Sequence, residues 1–245
     1  MNQLRVNVSL WLTALLGAML FTWPLLFPQF SAIGDLGGWA VIALAPVLVV
    51  LALMALNKGL TSARELAVLG VLAAAGSAIR IATSGVGGFE AVFILIILAG
   101  RAFGAKFGFV LGVLTIAVSS VFWGGFGPWT AFQMLAVGWV GLGAGLLPKS
   151  SKHEIWWLVG YTIVASYLFG FFMNLWFWPF AVGPETSISY SAELPVLENL
   201  SRFLVYTLTT STLTWDTVRA VTVSLAIGFF GKAILATLRR AKLGN

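Results

Sequence analysis

The chain contains no cysteine, a single histidine and few charged residues, which make up only 9% of its 245 residues. Without cysteine, the sequence excludes disulfides, thiolate metal sites and a cysteine nucleophile. The one histidine, His153, lies in a polar stretch, which argues against a metal centre built from imidazoles. Soluble domains carry about a quarter charged residues, so the composition also excludes a soluble globular enzyme.

Apolar residues make up 60% of the chain, and the mean hydropathy is +0.98. Long unbroken apolar runs, rather than the short alternating segments of an outer-membrane barrel, predict helices that cross a bilayer. The sequence therefore predicts an all-α integral membrane protein with about eight transmembrane helices. The candidate spans are residues 7–26, 39–56, 65–83, 90–104, 107–122, 130–147, 155–180 and 214–238. The fourth is short, and the semi-polar residues 202–213 are expected to form a short segment at the outer face rather than a span.

The loops alternate in charge. Of the 14 lysines and arginines, 11 fall in segments at one side of the predicted spans, the basic face, and six acidic residues fall at the other side, the acidic face. The positive-inside rule then predicts that both termini of this multi-pass protein lie in the cytoplasm. The net charge of +6 is thus a topology signal, with some attraction to anionic lipid, and requires no nucleic-acid partner.

Small residues recur at helical spacing in three predicted spans. Glycines follow one another every three or four residues over 100–112 and 138–145, where packing within the chain is the favoured interpretation. In the third span, a similar face suits either internal packing or a sliding contact with a second protein. This face consists of Ala67, Gly70, Ala74 and Ala78.

Polar and aromatic side chains from several spans are expected to converge near the acidic face. Ionisable groups inside a membrane protein are costly and are functional candidates. The candidate ligand-binding residues are Arg80, Trp129, Gln133, Asn174, Tyr190, Trp215, Asp216 and Arg219. Structural roles remain open for them, since tryptophans anchor helices at the membrane boundary and Asp216 and Arg219 can form an i,i+3 pair.

The sequence offers no support for enzyme chemistry. It contains no HExxH, Gly-x-Ser-x-Gly or Walker motif and no paired intramembrane aspartates. We therefore expect no catalytic residues, no metal and no intrinsic cofactor, and any ATP hydrolysis would belong to another subunit.

Several ordered segments resemble a known family. They are Ala63-Arg-Glu-Leu-Ala67, Gly100-Arg-Ala-Phe-Gly104-Ala-Lys-Phe-Gly108, Gly127-Pro-Trp-Thr-Ala-Phe-Gln-Met134, Gly138-Trp-Val-Gly141 and Thr214-Trp-Asp-Thr-Val-Arg219. Together they resemble the substrate-binding S component of energy-coupling factor (ECF) vitamin transporters.

The resemblance implies a six-helix core, residues 61–245, that binds a vitamin at its extracellular side. Residues 1–60 would add two N-terminal helices that the family pattern lacks. It also implies that the small-residue face of the third span contacts a transmembrane T subunit, which works with two cytoplasmic ATPase subunits. On this likeness the first expectation for the ligand is cobalamin or a related corrinoid, with riboflavin, pantothenate, folate or a modified base as alternatives.

Two other classes stay open. A secondary transporter of a small organic solute would need inverted repeats and ionisable groups near the midplane, and neither is evident. A membrane scaffold protein without a ligand would lack a bound small molecule on purification.

Overall fold

A computed structural model describes residues 14–28, 35–57, 62–84, 86–148, 152–183 and 186–243. No strand occurs in these ranges. Residues 14–21 are helical and are called α1. The other helices are α2 Trp23–Leu26, α3 Asp35–Asn57, α4 Ala63–Thr83, α5 Val92–Phe103, α6 Ala105–Phe122, α7 Pro128–Leu146, α8 Glu154–Ala181, α9 Val196–Thr207, a π-helix Leu208–Asp216, and α10 Thr217–Leu243.

Five helices of the described residues are long and apolar enough to cross a membrane. They are α4, α6, α7, α8 and the continuous helix Val196–Ala241, and two shorter apolar segments, Ile42–Leu51 and Val92–Phe103, accompany them. The prediction of an all-helical, multi-pass membrane protein is confirmed at this level. Residues 7–13 of the first predicted span lie outside the described ranges. Residues 149–151, which precede His153 in the polar loop, also lie outside them.

Helix α5 lies at the centre of the bundle. It packs against α4, α6, α7 and α10, and eight of its 12 residues are buried. Twelve residues rise only about 18 Å, less than the roughly 30 Å of a hydrocarbon layer, so the fourth predicted span is short in the structure as well. Gly104, at a φ of 108°, then turns the chain directly into α6.

Glycines bring the backbones of α5, α6 and α7 into direct contact. A Cβ on Gly100 would lie 2.1 Å from the carbonyl oxygen of Gly141, and a Cβ on Gly108 would lie 2.3 Å from the same oxygen. A Cβ on Gly145 would lie 2.2 Å from the backbone nitrogen of Ala105. The prediction that these glycines serve packing within the chain is therefore confirmed.

The N-terminal helices pack on the side formed by α7 and α8. The ring of Phe21 is buried, with centroid distances of 5.1 Å to Phe132 and 5.5 Å to Phe172. Trp23 Nε1 donates a hydrogen bond to the carbonyl oxygen of Trp176 at 3.2 Å, and α3 contacts α6 and α7. Residues before position 61 thus share a hydrophobic core with the rest of the chain.

The C-terminal part of the chain forms one continuous helix. Residues 202–213, expected as a short segment at the outer face, belong to this helix, and hydroxyls of this polar stretch bond to its preceding turn. Thr209 and Thr210 donate to the carbonyl oxygens of Val205 and Tyr206 at 2.8 and 2.7 Å. A helix of 46 residues measures roughly 70 Å, more than twice the hydrocarbon thickness, so it extends beyond the membrane.

The glycine contact between α6 and α7 makes a direct prediction. Gly141→Ala should lower the melting temperature of the purified protein, because the new methyl group would overlap backbone atoms of α6, and overpacking costs about 1–3 kcal/mol or more. Gly70→Ala is the matched control, since a Cβ there meets no atom within 4 Å. Equal melting temperatures for the two variants would contradict the contact.

Candidate functional site

Ion pairs mark the two ends of the bundle. At the basic end, Glu154 accepts from Arg101 at 2.7 Å and also pairs with Arg239. At the acidic end, Arg219 pairs with Glu90 and Asp216. The candidate site lies at the acidic end, where α5 begins and the π-helix passes into α10.

The π-helix places Asp216 inside the bundle. Its carboxylate is fully buried and lies against α8 at Gly170, where a Cβ would approach Asp216 Oδ1 to 2.0 Å. Ser211 donates a hydrogen bond to Asp216 Oδ2 at 3.1 Å. Stretches of π-helix are rare and occur often at functional sites, and this one gives the carboxylate a position that only a glycine opposite can accommodate.

Arg219 joins the chain before α5, helix α8 and helix α10. Its Nε and Nη2 donate to the two carboxylate oxygens of Glu90 at 2.9 and 3.2 Å. Its Nη1 donates to Asp216 Oδ1 at 2.8 Å and to the carbonyl oxygen of Ser166 at 3.0 Å. A buried guanidinium is stable only when its charge is paired and its donors are bonded, and this arrangement meets both conditions.

Aromatic rings complete the surroundings of this guanidinium. Its carbon lies 4.7 Å from the ring centroid of Phe169 and 5.4 Å from that of Phe93, within the range of cation–π attraction. The two carboxylates differ in exposure, because the Asp216 side chain is 1% exposed and that of Glu90 is 37% exposed. Glu90 is therefore the member of the cluster that other molecules can reach.

Arg80 forms a second polar cluster beside the first. Its Nη1 donates to Ser119 Oγ at 2.8 Å, and its Nη2 donates to Gln133 Oε1 at 3.1 Å. Both partners are neutral, so no carboxylate of the described residues is ion-paired with this guanidinium. The cluster links α4, α6 and α7 and leaves Arg80 with a positive charge that a ligand can use.

Two adjoining cavities connect these clusters. The smaller, of about 170 Å³, is lined by Arg80 together with aromatic and apolar residues of α5, α6 and the loop before α5. The larger, of about 380 Å³, lies between α8 and the π-helix and is lined by Asn174, Asp216 and Arg219. They share four lining residues, Glu90, Gln133, Phe169 and Trp215, so they form two lobes of one site.

The structure brings six of the eight candidate ligand-binding residues to these cavities. They are Arg80, Gln133, Asn174, Trp215, Asp216 and Arg219. Trp129 lies outside both linings, 43% exposed with its ring against Gly127. Tyr190 packs edge-on against Trp178 at 5.3 Å, in the loop before α9, and also lies outside.

Sequence reasoning assigned no role in the site to Glu90, Phe169 or Ser119. Glu90 was recognised only as one of several acidic residues on the acidic face, although its position just before a short apolar helix was an available signal. Phe169 and Ser119 carry no signal in a single sequence, because phenylalanine and serine occur throughout the apolar spans.

The small-residue face of α4 is exposed. Ala67, Gly70, Ala74 and Ala78 all lie on the outside of the bundle, while the buried face of α4 consists of Leu69, Ala73, Gly76 and Ser77. On that buried face, Ser77 Oγ donates to the carbonyl oxygen of Thr115 on α6 at 3.1 Å. Packing within the described chain therefore does not account for the small residues at positions 67, 70, 74 and 78.

No family model, curated protein or solved structure matches the chain. The assignment of a function consequently depends on the site and on the surface of α4.

The buried ion pair predicts a large loss of stability on substitution. Asp216→Ala should lower the free energy of unfolding by about 3–5 kcal/mol, because it leaves part of the buried Arg219 charge uncompensated. Thermal unfolding of the purified protein measures this effect.

Glu198→Ala is the matched control for that experiment. Glu198 forms an exposed i,i+4 pair with Arg202 at 3.0 Å, and such pairs contribute about 1 kcal/mol or less. If both variants unfold at the same temperature, Asp216 does not stabilise the bundle through Arg219.

Proposed function

We propose that this protein is the membrane-embedded substrate-binding subunit, or S component, of an ECF-type importer driven by ATP. In this proposal the chain crosses a bacterial cytoplasmic membrane eight times, with both termini in the cytoplasm and the acidic end outside. It captures a vitamin or related micronutrient there and docks on a T subunit, and two partner ATPases hydrolyse ATP.

The two-lobed cavity at the acidic end carries the proposal. A transport subunit that captures solute from outside needs a polar site at that end, within a bundle that is otherwise closed. Glycine contacts close α5 against α6 and α7 below the cavity, and the described polar clusters of Arg80 and Arg219 border it. Ligand sites typically combine apolar and aromatic walls with a few such polar groups.

The lining favours a ring-bearing ligand with a polar or anionic edge. Phe169 and Trp215 line both lobes and offer flat apolar surface. Gln133 uses its oxygen for Arg80 and donates no hydrogen bond to another described residue, so its amide N–H groups are available. Arg80 itself favours a carboxylate or phosphate.

Cavities of about 170 and 380 Å³ suit a drug-sized molecule. They favour a vitamin with one to three rings, such as a flavin, a pterin or a modified base, over the larger macrocycle of a corrinoid. The corrinoid expected from the family resemblance would require the two lobes to open.

The exposed face of α4 supports the docking part of the proposal. Helices associate in membranes through small residues that permit close backbone approach, and these four positions offer such a surface. A Cβ at Gly70 would meet no atom within 4 Å, so no described part of the chain covers the centre of this face. Phe21 packs on α7 and α8 and α3 contacts α6 and α7, while the four small residues of α4 stay exposed among the described residues.

Ligand retention tests the site. Gln133→Ala should reduce the amount of small molecule that co-purifies with the protein, measured by mass spectrometry per mole of chain. The expected loss of about 1–3 kcal/mol in binding reflects a polar group of the ligand left without its partner.

Trp129→Ala should retain the molecule at the wild-type level, because Trp129 lies outside both lobes of the cavity. The melting temperature of each variant, measured without ligand, separates lost binding from lost folding. Normal retention by a folded Gln133→Ala variant would place the ligand elsewhere.

Transport tests the docking face. Ala74→Trp should abolish uptake in cells while the isolated subunit still binds its ligand, because the indole ring prevents close approach of a partner helix. Leu225→Trp is the control, since Leu225 is 55% exposed on α10 and should tolerate the same ring. Uptake by the Ala74→Trp variant at the wild-type rate would contradict docking at this face.

A further inference from the structure

The basic end of the bundle contains a cavity that the proposed transport site does not use. It has a volume of about 500 Å³ and lies between the start of α8 and the end of α10. Its polar lining consists of Lys152, Lys232, Arg239 and Glu154, and its apolar lining of Ile155, Trp156, Leu235 and Ala236. It therefore joins a charged part to an apolar part at the membrane boundary.

The charged part has an excess of positive charge. Glu154 is the one carboxylate among the described lining residues, and it is shared between Arg101, whose side chain is 7% exposed, and Arg239. Lys152 and Lys232 form no hydrogen bond or ion pair with any residue that the structure describes. One carboxylate thus faces three lining cations, and none of the described residues pairs with the ammonium groups of Lys152 and Lys232.

The fixed geometry of this cluster distinguishes it from a mobile basic loop. Arg101 Nη1 and Nη2 donate to the carbonyl oxygens of Leu147 and Pro148 at 2.7 and 3.0 Å. These bonds and the shared Glu154 hold the end of α7, the start of α8 and the end of α10 together. The cavity wall is consequently held in place before any ligand arrives.

The apolar part extends the cavity toward lipid. Trp156 is 75% exposed on the first turn of α8, a position typical of a tryptophan at the membrane interface. Leu235, on α10, is buried at the base of the cavity. A ligand that fits both parts must carry an anionic head and an apolar chain.

We infer that this cavity is a binding site for the head group of an anionic phospholipid. Basic pockets between transmembrane helices at the cytoplasmic side bind phosphate-bearing head groups, and the two free lysines would contact the phosphate while Trp156 contacts the acyl chains. The site lies at the opposite end from the ligand cavity, so it rests on the proposed orientation of the chain but not on ligand transport.

Native mass spectrometry of the full-length protein in detergent tests this inference, with phosphatidylglycerol as the probe and phosphatidylcholine as the zwitterionic reference. Wild-type protein should retain phosphatidylglycerol in preference and melt at a higher temperature with it. Retention of the two lipids to the same extent would overturn the inference. Soluble glycerol phosphate should give no comparable rise, and an equal rise would identify a site for free phosphate instead of lipid.

Single substitutions locate the site. Lys152→Gln and Lys232→Gln should each weaken phosphatidylglycerol binding about fivefold, whereas Arg240→Gln should change it less than twofold. Arg240 lies on the same helix as Lys232 and outside the cavity lining, and its Nε bonds to the Ala236 carbonyl oxygen at 3.3 Å. Equal effects at positions 232 and 240 would indicate general attraction to charge and overturn the site.

Neither lysine forms a described hydrogen bond or ion pair, and both are exposed, so both variants should fold. Their melting temperatures in phosphatidylcholine verify this. The comparison of lipids on the wild-type protein needs no variant and remains decisive alone.

Discussion

The buried guanidinium of Arg219 is the constraint on which the acidic end of the bundle depends. An unpaired charge in an apolar interior is costly, so the chain must bring Glu90 and Asp216 to it from two directions. The Asp216 carboxylate can reach this guanidinium because the π-helix widens the turns of the chain and because position 170 opposite it is a glycine. Meeting Glu90 requires the loop before α5 to reach into the bundle, and the cavity lies in the space between these elements.

The rest of the bundle is organised around the short helix α5. Ion pairs hold the chain at both ends of it, through Arg219 before its start and through Arg101 in its last turn. Because positions 100, 108 and 141 are glycines, no side chains separate α5, α6 and α7, and their backbones pack in direct contact. A ligand cavity can therefore exist at one end without opening a path along the helices. A binding subunit requires such a closed bundle, whereas a channel requires an open path.

Much of this fold follows from apolar run length and small-residue spacing, because a bilayer demands helices of a minimum length and close packing demands glycine. The boundaries of α4, α7 and α8 agree with their predicted spans within two residues. The continuity of the last helix was missed, since a run of threonines is typical of a loop unless its hydroxyls bond to the preceding turn. The convergence of Arg80, Gln133 and Asp216 was predictable from depth alone, but Glu90 was missed because its partner lies 129 residues away.

Purification of the tagged chain from its native membranes tests whether it is a substrate-binding transport subunit, with mass spectrometry of both the small molecules and the proteins that accompany it. A subunit of the proposed kind should carry about one vitamin-sized organic molecule per chain and should accompany a transmembrane partner and ATPase subunits. Recovery of the chain with neither a small molecule nor an ATPase, or uptake that persists after the ATPases are inactivated, would contradict this proposal.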